Sequence, residues 1–238
     1  MKDYSGFIIL VLGTLFSLFI VWFGLRQYGL SRPLSNYQTP LVKKLKDLAQ
    51  KEPLIWSDHF SGLRTSPVQL VYMKYENETW KTSTRSKQEI GNTDHYEVRI
   101  APRPTLVMLE GGGPQALPLL RDQYKRKDLW KNMIFCSRSA GLMRDLRELE
   151  PQWTFCSDEA FLVRMLAFSS LALEPLIDIK ADVFFIHLTA KLQSDEIESL
   201  IREGHRQNKF VIIGPVSRPL DGLSPDGWMV EEGDQKVQ

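Results

Sequence analysis

The chain has 238 residues, of which 43% are hydrophobic, 25% charged and 11% aromatic. That length suits one medium domain, or one domain plus an anchor. The composition excludes a disordered tail, a collagen-like chain and a low-complexity polymer. A net charge of +1 carries no basic excess of the kind a nucleic-acid partner needs. Two cysteines, Cys136 and Cys156, exclude a disulfide-dense scaffold and a four-cysteine zinc site.

The chain opens on an apolar stretch. Tyr4 to Leu25 holds no charged residue and is mostly Phe, Ile, Leu, Val and Trp. As a helix it rises roughly 30 Å, enough to cross the hydrocarbon core of a bilayer. A cleaved signal peptide has a shorter apolar run of about 7–15 residues and a small-x-small cleavage site. Trp22-Phe23-Gly24-Leu25-Arg26 is a poor one. Trp22 and Tyr28 suit the interfacial aromatic belt. The expectation is an uncleaved single-pass anchor over residues 1–30. Lys2 lies on one side, and Arg26, Arg32, Lys43, Lys44 and Lys46 on the other, so the charge bias leans towards a cytoplasmic C-terminal domain. Asn77-Glu78-Thr79 matches a glycosylation sequon, a triplet that also arises by chance.

Residues 31–53 read as a linker and an amphipathic helix. Pro40 to Gln50 places Leu41, Val42, Leu45 and Leu48 on one face, with Lys43, Lys44, Lys46 and Asp47 elsewhere. Such a helix either lies on a membrane surface through its lysines or packs against the following domain. Residues 54–238 form that domain. Leu54–Ser57 and Val68–Tyr75 are strand candidates, Glu76 to Thr93 is polar enough for a loop or hairpin end, and Tyr96–Ile100 suits a strand returning beside Val68–Tyr75.

From Thr105 the pattern becomes regular. Thr105–Leu109, Met133–Cys136, Trp153–Cys156, Asp182–Ile186, Phe210–Ile213 and Trp228–Val230 are short apolar runs with the character of strands buried on both faces. Helical periodicity fills most of the gaps: Gln115–Tyr124, Leu142–Leu149, a helix capped by Asp158, and one opening near Ser194 without a full capping box. Alternating strand and helix predicts a parallel sheet with helices outside. No Gly-x-Gly-x-x-Gly follows a strand, which leaves a dinucleotide-binding sheet without support and favours closure into a barrel.

Residues 105–232 resemble the later half of the glycerophosphodiester phosphodiesterase family. Thr105–Glu110 (TLVMLE) is similar to the family strand that ends in a metal-binding glutamate. Met133 to Trp153 resembles its strand, serine and "L..LR...P" helix, Glu203 to Ser217 its "G..V..WTVN" segment, and Asp226 to Glu231 its closing "DGIITD" strand. The resemblance implies an α/β fold of divergent or incomplete TIM type, a (β/α) barrel, which here follows the one transmembrane helix expected from the apolar N-terminal run. It also implies hydrolysis of a phosphodiester with histidine as acid and base and carboxylates holding a divalent metal. Carried residue by residue, His59 stands where the first family histidine stands and would act as acid/base. Glu110 and Asp58 would ligate Ca²⁺ or Mg²⁺. The family's His-Arg-Gly becomes Asp58-His59-Phe60-Ser61-Gly62, no Glu-x-Asp occurs in 63–104, Asp94-His95 is an inverted pair, and Gly112 replaces an expected lysine.

The implied function is that of a membrane-anchored protein acting on, or binding, a glycerophosphodiester or lysophospholipid head group at the bilayer. The alternative is a non-catalytic pseudoenzyme, or an adaptor subunit of a membrane complex with a protein partner. A hard cation takes several oxygen ligands, so one glutamate does not make a site alone. Gly111-Gly112-Gly113 could offer backbone N–H groups to an anion, or simply turn the chain. Arg138, Arg164 and Arg218, near strand ends, could meet a phosphate or be ordinary surface arginines. His187 follows a strand and is expected to face the barrel mouth, whereas His205 is expected on an exposed helix. Cys136 and Cys156 end neighbouring strand candidates. A disulfide between them is conceivable, and two buried free thiols are the default. No Gly-x-Ser-x-Gly elbow presents Ser137 or Ser157 as a nucleophile.

Overall fold

The computed structural model describes residues 4–34, 38–57, 68–83, 103–125, 128–188 and 192–231. Its strands are β1 (Leu54–Ser57), β2 (Gln69–Glu76), β3 (Thr79–Ser83), β4 (Thr105–Glu110), β5 (Met133–Ser137), β6 (Thr154–Phe155), β7 (Val183–His187), β8 (Phe210–Val216) and β9 (Gly227–Val230). Its helices are α1 (Tyr4–Ser31), α2 (Pro40–Ala49), α3 (Leu117–Lys125), α4 (Ala140–Leu149), α5 (Glu159–Ser169) and α6 (Ser194–Arg206).

The strands form two sheets, ordered β3-β2-β4-β5-β6 and β7-β8-β9-β1 in space. All pairings are parallel except the β2–β3 hairpin. A parallel bridge between Cys156 and Val183 joins the sheets at one side. Among the described residues no ladder joins β1 to β2 on the other side. The upper half of β2's edge there is taken by β3, from Tyr72↔Ser83 to Glu76↔Thr79. The fold is therefore mixed α/β with parallel sheets, curled towards a TIM-like barrel.

Period-two alternation sorts the side chains into an inside and an outside. Leu54 and Trp56, Leu70 and Tyr72, Leu106 and Met108, Ile134 and Cys136, Val183 and Phe185, Phe210 and Ile212, and Met229 share one buried cluster with Cys156. Their alternate neighbours along each strand face outward into two further clusters. Val107, Leu109, Phe135 and Phe155 pack on α3 and α4. Phe184, Ile186, Val211, Ile213 and Trp228 pack on α5 and α6. Both strand faces are thus dry, which explains why these segments read as unbroken apolar runs. Each large side chain so buried contributes roughly 1.5–3 kcal/mol.

Local signals agree with this frame. Asp158 caps α5 by accepting from the Phe161 amide at 2.8 Å. α6 starts where expected, and its Glu196 carboxylate accepts from the Gln193 N–H at 2.9 Å. The box residue is therefore one position earlier than Ser194 suggests. Thr79–Ser83 returns beside β2 as a hairpin partner; Tyr96–Ile100, the strand expected there, lies outside the described residues. Thr79–Ser83 is polar because it is a short edge strand, where charged and hydroxyl side chains are favoured.

The base of the barrel, where the strands begin, is closed by α2. Leu41, Val42 and Leu45 are at most 4% exposed and belong to the interior cluster, so of the two readings for this helix the packed one holds. Two aspartates stitch the same end. Asp182, just before β7, accepts from Phe155 N at 3.0 Å, and Asp226, just before β9, accepts from Val211 N at 2.7 Å. α1 also meets the barrel here through its last turns. Trp22 donates from Nε1 to the Leu171 carbonyl at 2.7 Å, and Arg32 from Nη1 to the Leu176 carbonyl at 3.1 Å. Between them Gly29 lies so close to the segment before β7 that a Cβ would sit 2.7 Å from the Pro175 carbonyl carbon.

Candidate functional site

At the opposite end, inward positions continue past the last apolar layer and become polar. Beyond Tyr72 comes Lys74, beyond Met108 Glu110, beyond Cys136 Arg138, beyond Phe185 His187, and beyond Met229 Glu231. Strand geometry alone therefore delivers a ring of charged and titratable groups to the C-terminal mouth, where barrels of this kind place their chemistry.

Glu110 is exposed at the end of β4, directly opposite Lys74 in the β2–β4 register. Lys74 also pairs with Glu76 at 2.5 Å. The Glu76 hydrogen bond and charge, with a smaller share from Glu110, hold the Lys74 ammonium above its ordinary value. Glu110 thus faces a cation supplied by the chain itself. Across the mouth the Tyr72 hydroxyl donates to the Glu231 carboxylate.

A small cavity opens beside this ring, lined among others by Ser137, Arg138, Asp158 and His187. Its free volume of about 10 Å³ is enough for a single water. The His187 ring stands edge-on to Phe185, with centroids 6.2 Å apart, and its Nδ1 lies 3.2 Å from the Leu188 carbonyl. Arg138 is exposed, so its guanidinium can swing over the opening. The serines serve the frame. Ser137 Oγ donates to the Leu109 carbonyl at 2.9 Å, and Ser157 Oγ accepts from the Phe185 amide at 3.0 Å. The Asp158 carboxylate is engaged as the α5 cap.

Several expected site residues find other roles. Asp58 and His59 lie outside the described residues. The glycine run is a turn: Gly111 and Gly112 have φ of 72° and 83°, values that favour glycine. The Trp80 indole covers that turn, donating to the Ala116 carbonyl at 2.8 Å and leaving only 3.2 Å for a Cβ on Gly112. Arg164 lies on the exposed face of α5, its guanidinium 5.6 Å from the Phe161 ring. Arg218 is exposed after β8. His205 is exposed on α6 as expected, and it sits at the base, 3.2 Å from Asp226.

The cysteines require a correction. Cys136 and Cys156 are joined in a disulfide, not held as two free thiols. Ile134 and Phe135 pair with Thr154 and Phe155, so the next step of the register sets the two cysteines side by side, with Cα atoms 4.9 Å apart. Sequence spacing shows that they end adjacent strands. Only the register shows that both point inward at the same level.

A divalent cation needs several oxygen ligands converging within about 2.6 Å of one point. Among the described residues no cluster of three His, Cys, Asp or Glu side chains could hold a metal. Glu110 is set against Lys74 and Glu231 against Tyr72. The described donor set therefore does not fit the metal that the family resemblance implies.

No family model matches the chain, and neither does any curated protein. Solved structures similar to it include one from Silicibacter pomeroyi described as a glycerophosphoryl diester phosphodiesterase, with 13% identity and a TM-score of 0.37 over 54% of this chain and 47% of that one. Another is a glycerophosphodiester phosphodiesterase from Agrobacterium tumefaciens, with 8% identity and a TM-score of 0.48 over 76% of this chain and 95% of that one. The chain spans about half the length of the first of these.

Proposed function

We propose that this protein is a membrane-anchored barrel of the glycerophosphodiester phosphodiesterase type, whose C-terminal mouth binds phosphodiesters derived from glycerophospholipids. The observation that carries this reading is that Arg138 and His187, from the ends of β5 and β7, both border the mouth above a cavity the size of one water. A guanidinium offers a phosphate two parallel donors, and an imidazole beside it can hold or release a proton near neutral pH. The order of family-like segments from Thr105 to Glu231 adds to it. Catalysis would fall to His59 as acid/base and to Glu110 and Asp58 around Ca²⁺ or Mg²⁺.

One observation favours the non-catalytic alternative. Lys74 stands opposite Glu110 in the ladder, where a cation held by Glu110 would compete with a fixed positive charge. A pseudoenzyme that binds the diester without cleaving it, or an adaptor in a membrane complex, accords with that pairing.

Among the described residues, α1 is the one helix long and apolar enough to cross a membrane. For the side on which the barrel stands, the disulfide weighs against the lean of the flanking charges. Such bonds persist in oxidising compartments and are rare in the cytosol.

The deciding experiment measures glycerophosphocholine binding by calorimetry and its hydrolysis with added Ca²⁺ or Mg²⁺, for wild type, Glu110→Ala and Arg138→Ala. Metal-dependent turnover that disappears in Glu110→Ala establishes the enzyme. Binding without turnover, weakened in Arg138→Ala, establishes the pseudoenzyme. Neither binding nor turnover refutes the assignment of the mouth.

A further inference from the structure

The base of the barrel differs from the mouth in three respects. α1 is fastened there, with Trp22 bonded to the Leu171 carbonyl and Arg32 to that of Leu176. Trp22 is preceded by an exposed apolar stretch from Leu10 to Val21, and the apolar span runs on to Ser31, so this joint lies along the C-terminal part of the span. Next to it, apolar side chains remain open to solvent: Leu171 is 60% exposed and Phe168 38%. At the same end of the barrel lies α2. Its inner face plugs the barrel, and its outer face presents Lys43, Lys44 and a Leu48 that is 40% exposed, with Lys51 just beyond. Over residues 40–53 the four lysines Lys43, Lys44, Lys46 and Lys51 outnumber the two carboxylates Asp47 and Glu52.

Hydrogen bonds link α2 to the segment before β7. Gln207 bonds the Ile177 carbonyl at 2.7 Å, and the Asn208 carbonyl next to it accepts from Gln38 at 2.9 Å and Lys46 at 2.8 Å. An exposed leucine and phenylalanine level with an interfacial tryptophan, flanked by lysines, are suited to the headgroup region of a bilayer. Lysines near such a surface are drawn to anionic lipid.

We propose that the base is a membrane-docking surface, seated on the anionic leaflet that α1 enters, with the mouth turned to the aqueous phase. The proposal rests on reading α1 as a membrane span.

The test uses the full chain reconstituted in phosphatidylcholine vesicles with or without phosphatidylglycerol. It carries one environment-sensitive fluorophore on an introduced cysteine, with the native disulfide left unreduced. Leu171→Cys reports on the base. Asn77→Cys reports on the mouth side, since Asn77 follows the C-terminal end of β2 and is exposed. Spin-labelled lipid is expected to quench the probe at 171, more strongly in anionic vesicles, and to leave the probe at 77 bright. A chain that floats with the vesicles but keeps a bright probe at 171, or loses emission at 77, overturns the docking and leaves the anchor standing. Equal quenching at 171 in neutral and anionic vesicles overturns the role given to the lysines. A chain that does not float with the vesicles overturns the anchor and the docking together.

Discussion

Replacing both cysteines, Cys136→Ala with Cys156→Ala, removes a covalent tie from a sparsely hydrogen-bonded side of the barrel. The β5–β6 ladder has two register pairs, and a single bridge continues the strand order from Cys156 to Val183. The tie closes a loop with a sequence separation of 20. Chain entropy for a loop of that size gives about 3 kcal/mol of stabilisation, because the unfolded chain loses freedom when its ends are joined. For a chain of this length a loss of that size lowers the melting temperature by roughly 6–12 °C. Thermal and urea unfolding, followed by circular dichroism in the detergent that holds α1, would read it. The midpoint should fall while the denaturant slope holds or rises, since the folded surface is unchanged and the freed unfolded chain exposes at least as much. Alkylation in urea without reductant should leave the wild-type mass unaltered. Two added labels would refute the covalent tie. A double variant that melts within a degree or two of wild type would refute the entropy argument.

Gly29→Val drives a branched side chain into the Pro175 backbone. It is expected to loosen amide protection in residues 171–176 and leave the interior strands unaffected; unchanged exchange at 171–176 refutes the tight joint. Burial is the main influence on Asp182 and pushes its carboxyl above the ordinary value of 3.8, against the Phe155 amide and the Lys209 and Arg147 charges. The native state then holds this proton more tightly than the unfolded state, so the carboxyl's contribution to stability falls as pH rises from about 3.8 to its raised native value. Asparagine can still accept the Phe155 N–H, so Asp182→Asn should gain on wild type across that window in urea midpoints taken from pH 4 to 7. A difference independent of pH refutes the burial argument.

The strands that lie inside the ring were legible because both of their faces are dry. VFFIH and FVIIG carry no polar alternation, and nothing but a sandwiched strand of that length suits them. Asp158 was legible as a cap because its effect is local, reaching Phe161 three residues on. What escaped was long-range register. Lys74 and Glu110 are 36 positions apart in the chain and opposite each other in the sheet, so Glu110 read as a free ligand candidate. The cysteine pair escaped for the same reason. β3 escaped because Thr79–Ser83 is an edge strand whose residues follow solvent rather than core. Of the three expected site residues only Glu110 falls among the described ones, and it sits at the mouth, at the end of β4.

The barrel is filled by its own side chains. Trp56, Tyr72, Phe185 and the bonded sulfurs occupy the interior, and the cavity beneath the mouth admits little more than a water molecule. Architecture and chemistry are therefore carried by different sets of residues. A substitution at Glu110, Arg138 or Lys74 changes what the rim can do and leaves the packing beneath it intact. Such a scaffold can drift: it can shed a reaction, keep a binding habit or acquire a new one, at almost no penalty to its own persistence.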